Sequence, residues 1–343
     1  MILLVKYFEL VPYAFKKFGV LRALRTGLPT ALHYLHPNPL PPSEKPALFT
    51  MNIMPPMMTV WHHLVRKNLG DRVDTVIFDC SGTLDPADFP GARVQKFLNL
   101  YAATKSDEFL YKIAKTRKIG WICDDDMFIV NPKCVDRIIQ EFKDPQTAVL
   151  SFRPRTWWRF EIDGTSYEPC GSYCLAIKRE IYCDKEHLSL SPCDGNTHVK
   201  ETTRTVRYDT FDKANETLIR KGYRCAIIPE SEREEYVTGF SGVSSAVMLL
   251  WHFGTPEQMM AYLEAPADNT WGGNTLYTIL SGLLAISAMQ EMHQKITGKP
   301  YVLRSMPSLP ELERLRRAKA PLLREGHDFE RTLQVAERLR RHL

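Results

Sequence analysis

The chain has 343 residues, 44% of them hydrophobic and 25% charged, with a formal net charge of +5. That is ample for a large buried core, and it excludes a disordered tail, a collagen-like fibre and a disulfide-stapled mini-domain. Residues 1–36 carry a charge of +4, residues 309–343 carry +3 and the body between them carries −2, which argues against a nucleic-acid-coating protein, whose binding face makes the body basic.

The opening MILLVKYFELVPYAF is interrupted by Lys6 and Glu9 and is followed by no small-residue cleavage site, so it does not read as a signal peptide. No stretch reaches the roughly 18 apolar residues of a membrane span. Residues 1–36 read as one or two short basic amphipathic helices, and His36–Pro46 as a Pro-rich linker. A regular alternation then begins. Ala47–Ile53 reads as a strand, Met57–Leu69 as a helix ending at Gly70, and Val73–Cys80 as an apolar strand followed by the turn Ser81-Gly82. Ala92–Leu98 reads as a strand, Lys105–Thr116 as a helix, and Ile119–Cys123 as a short strand running into Asp124-Asp125-Asp126. Pro132–Phe142 reads as a helix and Ala148–Phe152 as a strand. Strands apolar on both faces, alternating with helices, predict an α/β sandwich with a largely parallel sheet. Downstream, Ser172–Ile177 reads as a strand, Thr210–Lys221 as a helix and Arg224–Ile228 as a strand. Residues 243–293 read as mostly helical, and 309–343 as one or two basic amphipathic helices.

The eight cysteines form no C-x-x-C pair, and Cys80 and Cys123 sit in apolar runs. This pattern reads as a reducing, cytoplasmic compartment. Cys170, Cys174, Cys183 and Cys193 with His187 and His198 are a candidate zinc cluster of non-standard spacing.

The sharpest signal is Ile119–Phe128, IGWICDDDMF, in which a buried strand delivers three carboxylates at its C-terminal edge, where open α/β sheets bind ligands. On an extended chain Asp124 and Asp126, at i and i+2, point to one side. Two such oxygen donors suit Mg²⁺ or Mn²⁺ sharing the oxygens of a substrate diphosphate. The plainer reading is a solvated acidic loop.

This segment resembles the DxD motif of nucleotide-sugar glycosyltransferases of the GT-A fold, family-2-like, and the match runs over roughly residues 46–230. The resemblance implies a Rossmann-like, mostly parallel sheet flanked by helices, with helical N- and C-terminal extensions. It implies that Asp124 and Asp126 hold the metal and the donor's diphosphate and ribose, that Asp79 lies near the nucleoside, and that Thr50 and Asn52 line its pocket. Pro169-Cys170-Gly171-Ser172-Tyr173 resembles the small-residue segment that lets backbone approach the donor sugar. Arg207–Asp212, RYDTFD, resembles the acidic segment of inverting enzymes, with Tyr208 where an acid often stands. Asp209 is thereby the candidate base and Asp212 a weaker one; a cap of the following helix is the competing role for Asp209. His252, in Trp251–Gly254, is either a further metal ligand or a core histidine.

Ser151–Arg159, SFRPRTWWR, reads as a mobile acceptor or diphosphate loop, as a Trp-anchored core turn, or as a nucleic-acid patch. The implied activity is transfer of a sugar from a UDP- or GDP-sugar to a glycan or lipid-linked hydroxyl, with Mn²⁺ or Mg²⁺ as cofactor and no nucleic acid as partner. The implied division is an N-terminal extension and linker 1–45, a catalytic domain 46–255 and a helical region 256–343, the basic ends being either peripheral membrane anchors or packing elements. Three other readings stand beside it. Phe78–Leu84, FDCSGTL, resembles the first motif of haloacid-dehalogenase-like phosphatases, with Ser81 where their second Asp stands. A nucleotidyltransferase shares the frame but carries a Gly-rich, basic loop where this chain reads Met51–Pro56, MNIMPP. A non-enzymatic membrane-surface scaffold would use only the basic ends.

Overall fold

In a computed structural model of the chain, residues 20–156, 158–198, 207–265, 270–271, 274–319 and 329–343 are described, by backbone alone at 270–271, 274–277 and 329. They fall into two compact units. One takes the described residues up to Asn52 with Arg66–Val237, the other Ile53–Val65 with Thr238–Leu343.

The first unit is an α/β sandwich on a seven-stranded sheet. Its strands are β1 (Ala47–Asn52), β2 (Asp74–Asp79), β3 (Ala92–Lys96), β4 (Ile119–Cys123), β5 (Thr147–Ser151), β6 (Cys174–Lys178) and β7 (Arg224–Ile227), in the order β7-β5-β6-β4-β1-β2-β3. All neighbours pair in parallel except β6, which runs antiparallel to both β4 and β5. Strands β1 and β5 are buried along their whole length, as strands covered on both faces must be, whereas the edge strand β3 keeps Arg93, Gln95 and Lys96 at least partly in solvent. The mostly parallel α/β sheet is as the sequence predicts, and so are helices at Val20–Leu35, Leu309–Lys319 and Phe329–His342, while the rest of the predicted terminal helices, residues 1–19 and 320–328, lies outside the described residues. The antiparallel β6 is not visible in an apolar pattern, which carries no strand direction.

Around the sheet lie α1 (Val20–Leu35), α2 (Pro55–Leu69), which belongs to this unit only from Arg66, and α3 (Ala102–Glu108), which continues as a π-helical turn over Phe109–Ile113. They are followed by α4 (Cys134–Glu141), α5 (Asp212–Arg220) and α6 (Glu230–Tyr236). The predicted helix over Lys105–Thr116 thus starts three residues earlier and ends in a widened turn.

A hairpin that the sequence reading passes over, Phe160–Ile162 with Thr165–Tyr167, turns at Asp163-Gly164, where φ is +48° and +77°. That pair of left-handed residues is what a two-residue hairpin loop requires. Behind it Trp158, Phe160, Ile162 and Tyr208 form a small apolar cluster with Ile219. Trp158 is therefore a core anchor, while Trp157 lies outside the described residues.

Glu216 of α5 sits beside this cluster, 3% exposed. Its carboxylate accepts from Tyr208 Oη, from His198 Nε2 at 3.1 Å, from Lys213 Nζ at 3.0 Å and from Arg220 Nε at 2.8 Å. Burial works to raise its pKa, but these donors outweigh it and hold the group down at about 2, against 4.5 for an ordinary Glu. A depressed carboxylate stabilises the fold above its unfolded value and loses that stabilisation as pH falls through the folded one. Acidification from 4.5 toward about 2 is therefore expected to remove about 2–3 kcal/mol through this group. Urea unfolding checks this: Glu216→Gln should be less stable than the wild type at neutral pH, with the gap closing in acid.

The second unit is helical: the first part of α2, then α7 (Val243–His252), α8 (Pro256–Glu264), α9 (Leu276–Thr297), α10 (Leu309–Lys319) and α11 (Phe329–His342). Helix α8 begins with a proline in its first turn and a Thr255 side chain that accepts from Gln258 N. Helices α7 and α9 meet closely, because a Cβ added at Gly282 would lie 2.5 Å from the Gly242 carbonyl and 2.8 Å from Ala246 Cβ. The core of the unit includes Ile279, Leu283, Ile286 and Met289 of α9 and Leu312, Leu315 and Leu339 of the last two helices. No helix among the described residues is long and apolar enough to cross a membrane.

Candidate active site

Topology concentrates polar chemistry at one edge of the sheet. The C-terminal ends of the parallel strands lie there, and so does the start of antiparallel β6, since Cys123 pairs with Cys174 in register. The residue after β4, Asp124, consequently lies beside the one before β6, and Asp124 N donates to the Tyr173 carbonyl at 2.8 Å.

A cleft of about 160 Å³ opens at this edge, and Met51, Ser106, Asp124, Arg155, Tyr173 and Asp209 are among the residues that line it. Asp124 and Asp126 are partly accessible. They do not lie on an extended chain as expected. Residues 124–127 form a turn closed by Met127 N donating to the Asp124 carbonyl at 3.0 Å. Burial first, and then the charges of Asp126 and Asp125, push the Asp124 carboxyl well above the ordinary carboxylate range, against Lys105 and Arg155, which pull it down. Burial likewise pushes Asp126 up to about 7.

This electrostatic congestion suits a bound cation. Among the described residues no three His, Cys, Asp or Glu side chains converge as a metal cage. Two carboxylates of this kind are oxygen donors of the type a hard divalent ion, Mg²⁺ or Mn²⁺, takes alongside phosphate oxygens and water. The candidate zinc ligands do not assemble. Cys170 and Cys174 are buried in different contacts, Cys170 Sγ to the Ala226 carbonyl and Cys174 Sγ accepting from Trp121 Nε1, and Cys193 is exposed.

Arg155 organises the far wall of the cleft. It is 1% exposed, with Nε on Asp212 Oδ1 at 2.8 Å, Nη1 on Asp209 Oδ2 at 3.0 Å and Nη2 on the Thr210 carbonyl at 3.1 Å. Its guanidinium carbon stands 5.6 Å from the centre of the Tyr173 ring. Asp212 is equally buried and accepts from Asp209 N at 2.9 Å, so α5 begins in a charged, hydrogen-bonded knot. Asp209 itself is half exposed, its other oxygen accepting from Thr210 N at 2.7 Å and Tyr101 Oη at 3.4 Å. It does not cap the helix: the residue before α5 is Phe211, at a φ of +73°, with no side-chain cap.

The remaining candidates are distributed differently. Gly171 sits between Arg153 and Tyr173 and is not itself among the residues that line the cleft, whereas Ser172 and Tyr173 are. A Cβ there would fall 2.6 Å from the Arg153 carbonyl and 2.7 Å from the Tyr173 ring, so glycine is required by the protein's own packing. Thr50 and Asn52 are fully buried, and it is Met51, on the opposite face of β1, that reaches the cleft. Asn52 Nδ2 donates to Ser81 Oγ at 3.3 Å. Asp79 is fully buried and accepts from Ser81 Oγ and from the backbone N–H of Ser81, Gly82 and Leu84 at 2.9–3.1 Å. A carboxylate so enclosed anchors the 81–84 turn and offers no path for attack on a phosphoryl group. His252 ends α7 in the second unit, with the Phe253 ring edge-on at 4.9 Å. Arg155 and Tyr173 belong to segments singled out in the sequence, but their convergence on Asp209 and Asp124 is long-range. Lys105 and Tyr101 carry no sequence signal.

No protein-family model matches the chain, and no curated protein matches it significantly. Among solved structures it is similar to a mannosyltransferase from Pyrobaculum calidifontis in complex with GDP-Man and Mn²⁺, at 14% identity over 97% of each chain, with a TM-score of 0.38. It is similar to a cytidylyltransferase from Leptospira borgpetersenii at 11% identity over 62% of this chain and 88% of that one, with a TM-score of 0.35. It is also similar to TarS (1–349) of S. aureus at 10% identity over 87% and 92% of the two chains, with a TM-score of 0.33. Likenesses this distant assign neither a family nor a reaction.

Proposed function

We propose that the first unit is a GT-A-like glycosyltransferase that moves a sugar from a nucleotide-diphosphate donor to a hydroxyl acceptor. The observation that carries this reading is the carboxylate turn at the end of β4, whose first member, Asp124, lines the same cleft as Asp209. Asp124 and Asp126 would hold Mn²⁺ or Mg²⁺ together with the donor diphosphate. Bound there, the cation neutralises charge that develops on the departing nucleoside diphosphate. The chain's own contribution is positional. Arg155 and Tyr101 fix the Asp209 carboxylate while leaving it half exposed to the cleft, where it can take the proton of an acceptor hydroxyl. Direct displacement with such a base inverts the anomeric centre. Asp126 and Asp209 are thus assigned separate tasks, cation holding and proton removal, and His252 is assigned none.

Thermal unfolding with a panel of UDP- and GDP-sugars, each with and without Mn²⁺, tests the reading. The expected result is a rise in melting temperature that needs both a nucleotide sugar and the metal and that disappears in Asp126→Ala. Stabilisation by nucleoside triphosphates but by no nucleotide sugar would replace it with nucleotidyl transfer.

A further inference from the structure

Helix α1 is amphipathic in the reverse of the usual sense. Its inward face is Ala23, Thr26, Thr30 and His33, all buried. That face is satisfied by polar contacts: Thr30 Oγ1 accepts from Leu98 N at 2.7 Å, and His33 Nε2 lies 3.2 Å from Glu108 Oε2. The apolar residues point the other way. Leu21, Leu24, Leu28, Leu32 and Leu35 are 52–72% exposed. At 100° per residue these five fall within an arc of about 80°. A helix that serves only to complete a core turns its leucines inward. Here the helix is fixed by threonine, histidine and alanine while a continuous leucine stripe faces solvent.

The charge around the stripe says what covers it. Arg25 is exposed at its margin. From Leu10 to Ser43 the sequence contains no Asp or Glu, but has Lys16, Lys17, Arg22 and Arg25. A second copy laid on the stripe would bring two such acid-free, basic segments together, with no opposite charge to answer them. An anionic lipid surface supplies the opposite charge and an apolar layer beneath it.

We propose that α1 is a docking surface for an anionic bilayer, lying in the interface plane with its leucines in the acyl boundary and its basic residues among the headgroup phosphates. The helix is tied to the edge of the sheet that bears the cleft. Leu98 follows the end of β3, and a Cβ at Gly82 would sit 3.1 Å from Thr26 Cγ2. The cleft edge is therefore carried to the membrane with the helix. The docking is a property of α1 and holds whatever reaction the cleft performs.

Vesicle flotation of the full chain tests it, with phosphatidylcholine alone and with phosphatidylcholine mixed with phosphatidylglycerol, in low and high salt. The chain should float with the anionic vesicles, less so in high salt, and stay behind with neutral ones. The bound fraction of Leu24→Gln/Leu28→Gln/Leu32→Gln should fall roughly tenfold or more at an unchanged melting temperature. Should that variant fail to fold, Leu28→Trp keeps the test open, since its difference fluorescence against the wild type must shift to the blue on adding anionic vesicles. Absence of flotation, a triple variant that floats like the wild type, or no blue shift overturns the proposal. So does a two-copy mass in light scattering that the triple variant reduces to one copy without any lipid binding, which would assign the stripe to self-association. Flotation only after removal of residues 1–19 would assign it to that segment.

Discussion

Asp126→Ala is expected to lower Mn²⁺-dependent sugar transfer by about 10²-fold or more while leaving the metal-free chain as stable as the wild type or more so. The two halves of this expectation come from one geometry. Residues 124–127 form a turn whose three acids crowd at the end of β4, and both Asp124 and Asp126 are pushed far up by burial. A carboxylate with a raised folded pKa is one the fold would rather not ionise, so at neutral pH its charge costs stability. Removing it relieves the turn. On the function proposed above, the same charges would hold a cation and, through it, a diphosphate, which would offset that cost. A residue retained only for structure would show the reverse, lower stability with transfer intact. Steady-state transfer with a Mn²⁺ titration, beside melting of the metal-free protein, separates the two. Unchanged transfer in the variant would refute the assignment of Asp126.

How much of this was legible beforehand differs from element to element. Strands β1, β2 and β4 could be read because parallel strands buried on both faces appear as short apolar runs between helices. The position of Asp124 at a sheet edge followed from that. Its local conformation did not, because an i, i+2 argument assumes an extended chain and the chain turns there. Thr50 and Asn52 sit on the strand expected, but alternation along β1 gives the cleft to Met51. The direction of β6 has no signature in composition, yet it is what brings Tyr173 to Asp124. Asp163-Gly164 carried a hairpin signal in plain view. The leucine stripe of α1 was legible as amphipathicity, but which of its faces is covered depends on Leu98 and Glu108, more than sixty residues away. Arg155 is the clearest case of long-range determination. It stands in a run of Trp and Arg that reads equally as a mobile loop, a core turn or a nucleic-acid patch, and its partners lie 54 and 57 residues further along the chain.

Those partners make Arg155 the most consequential buried side chain of the cleft. Arg155→Met is expected to destabilise the first unit by about 3–5 kcal/mol, because it leaves the Asp212 carboxylate, itself 1% exposed, without its cation. Lysine is no substitute, since one ammonium cannot serve Asp212, Asp209 and the Thr210 carbonyl from the fork that Nε, Nη1 and Nη2 provide. Adding Asp212→Asn to Arg155→Met removes the orphaned charge but keeps an amide oxygen for Asp209 N, so the double variant should recover more than half of the loss. The pH dependence gives an independent check. Even with Arg155 in place, burial pushes Asp212 up to about 6. Without the guanidinium it rises further, and the folded state of Arg155→Met then takes up a proton that the unfolded chain leaves in solution. A group with a raised folded pKa stabilises the fold as pH falls through that value. The deficit of Arg155→Met against the wild type should thus be largest in mildly alkaline buffer and shrink on acidification, whereas the double variant should show little such slope. Urea unfolding across that range reads both. A small deficit independent of pH would mean that Asp212 is not held as an ion by Arg155, and the knot at the start of α5 would then be packing alone.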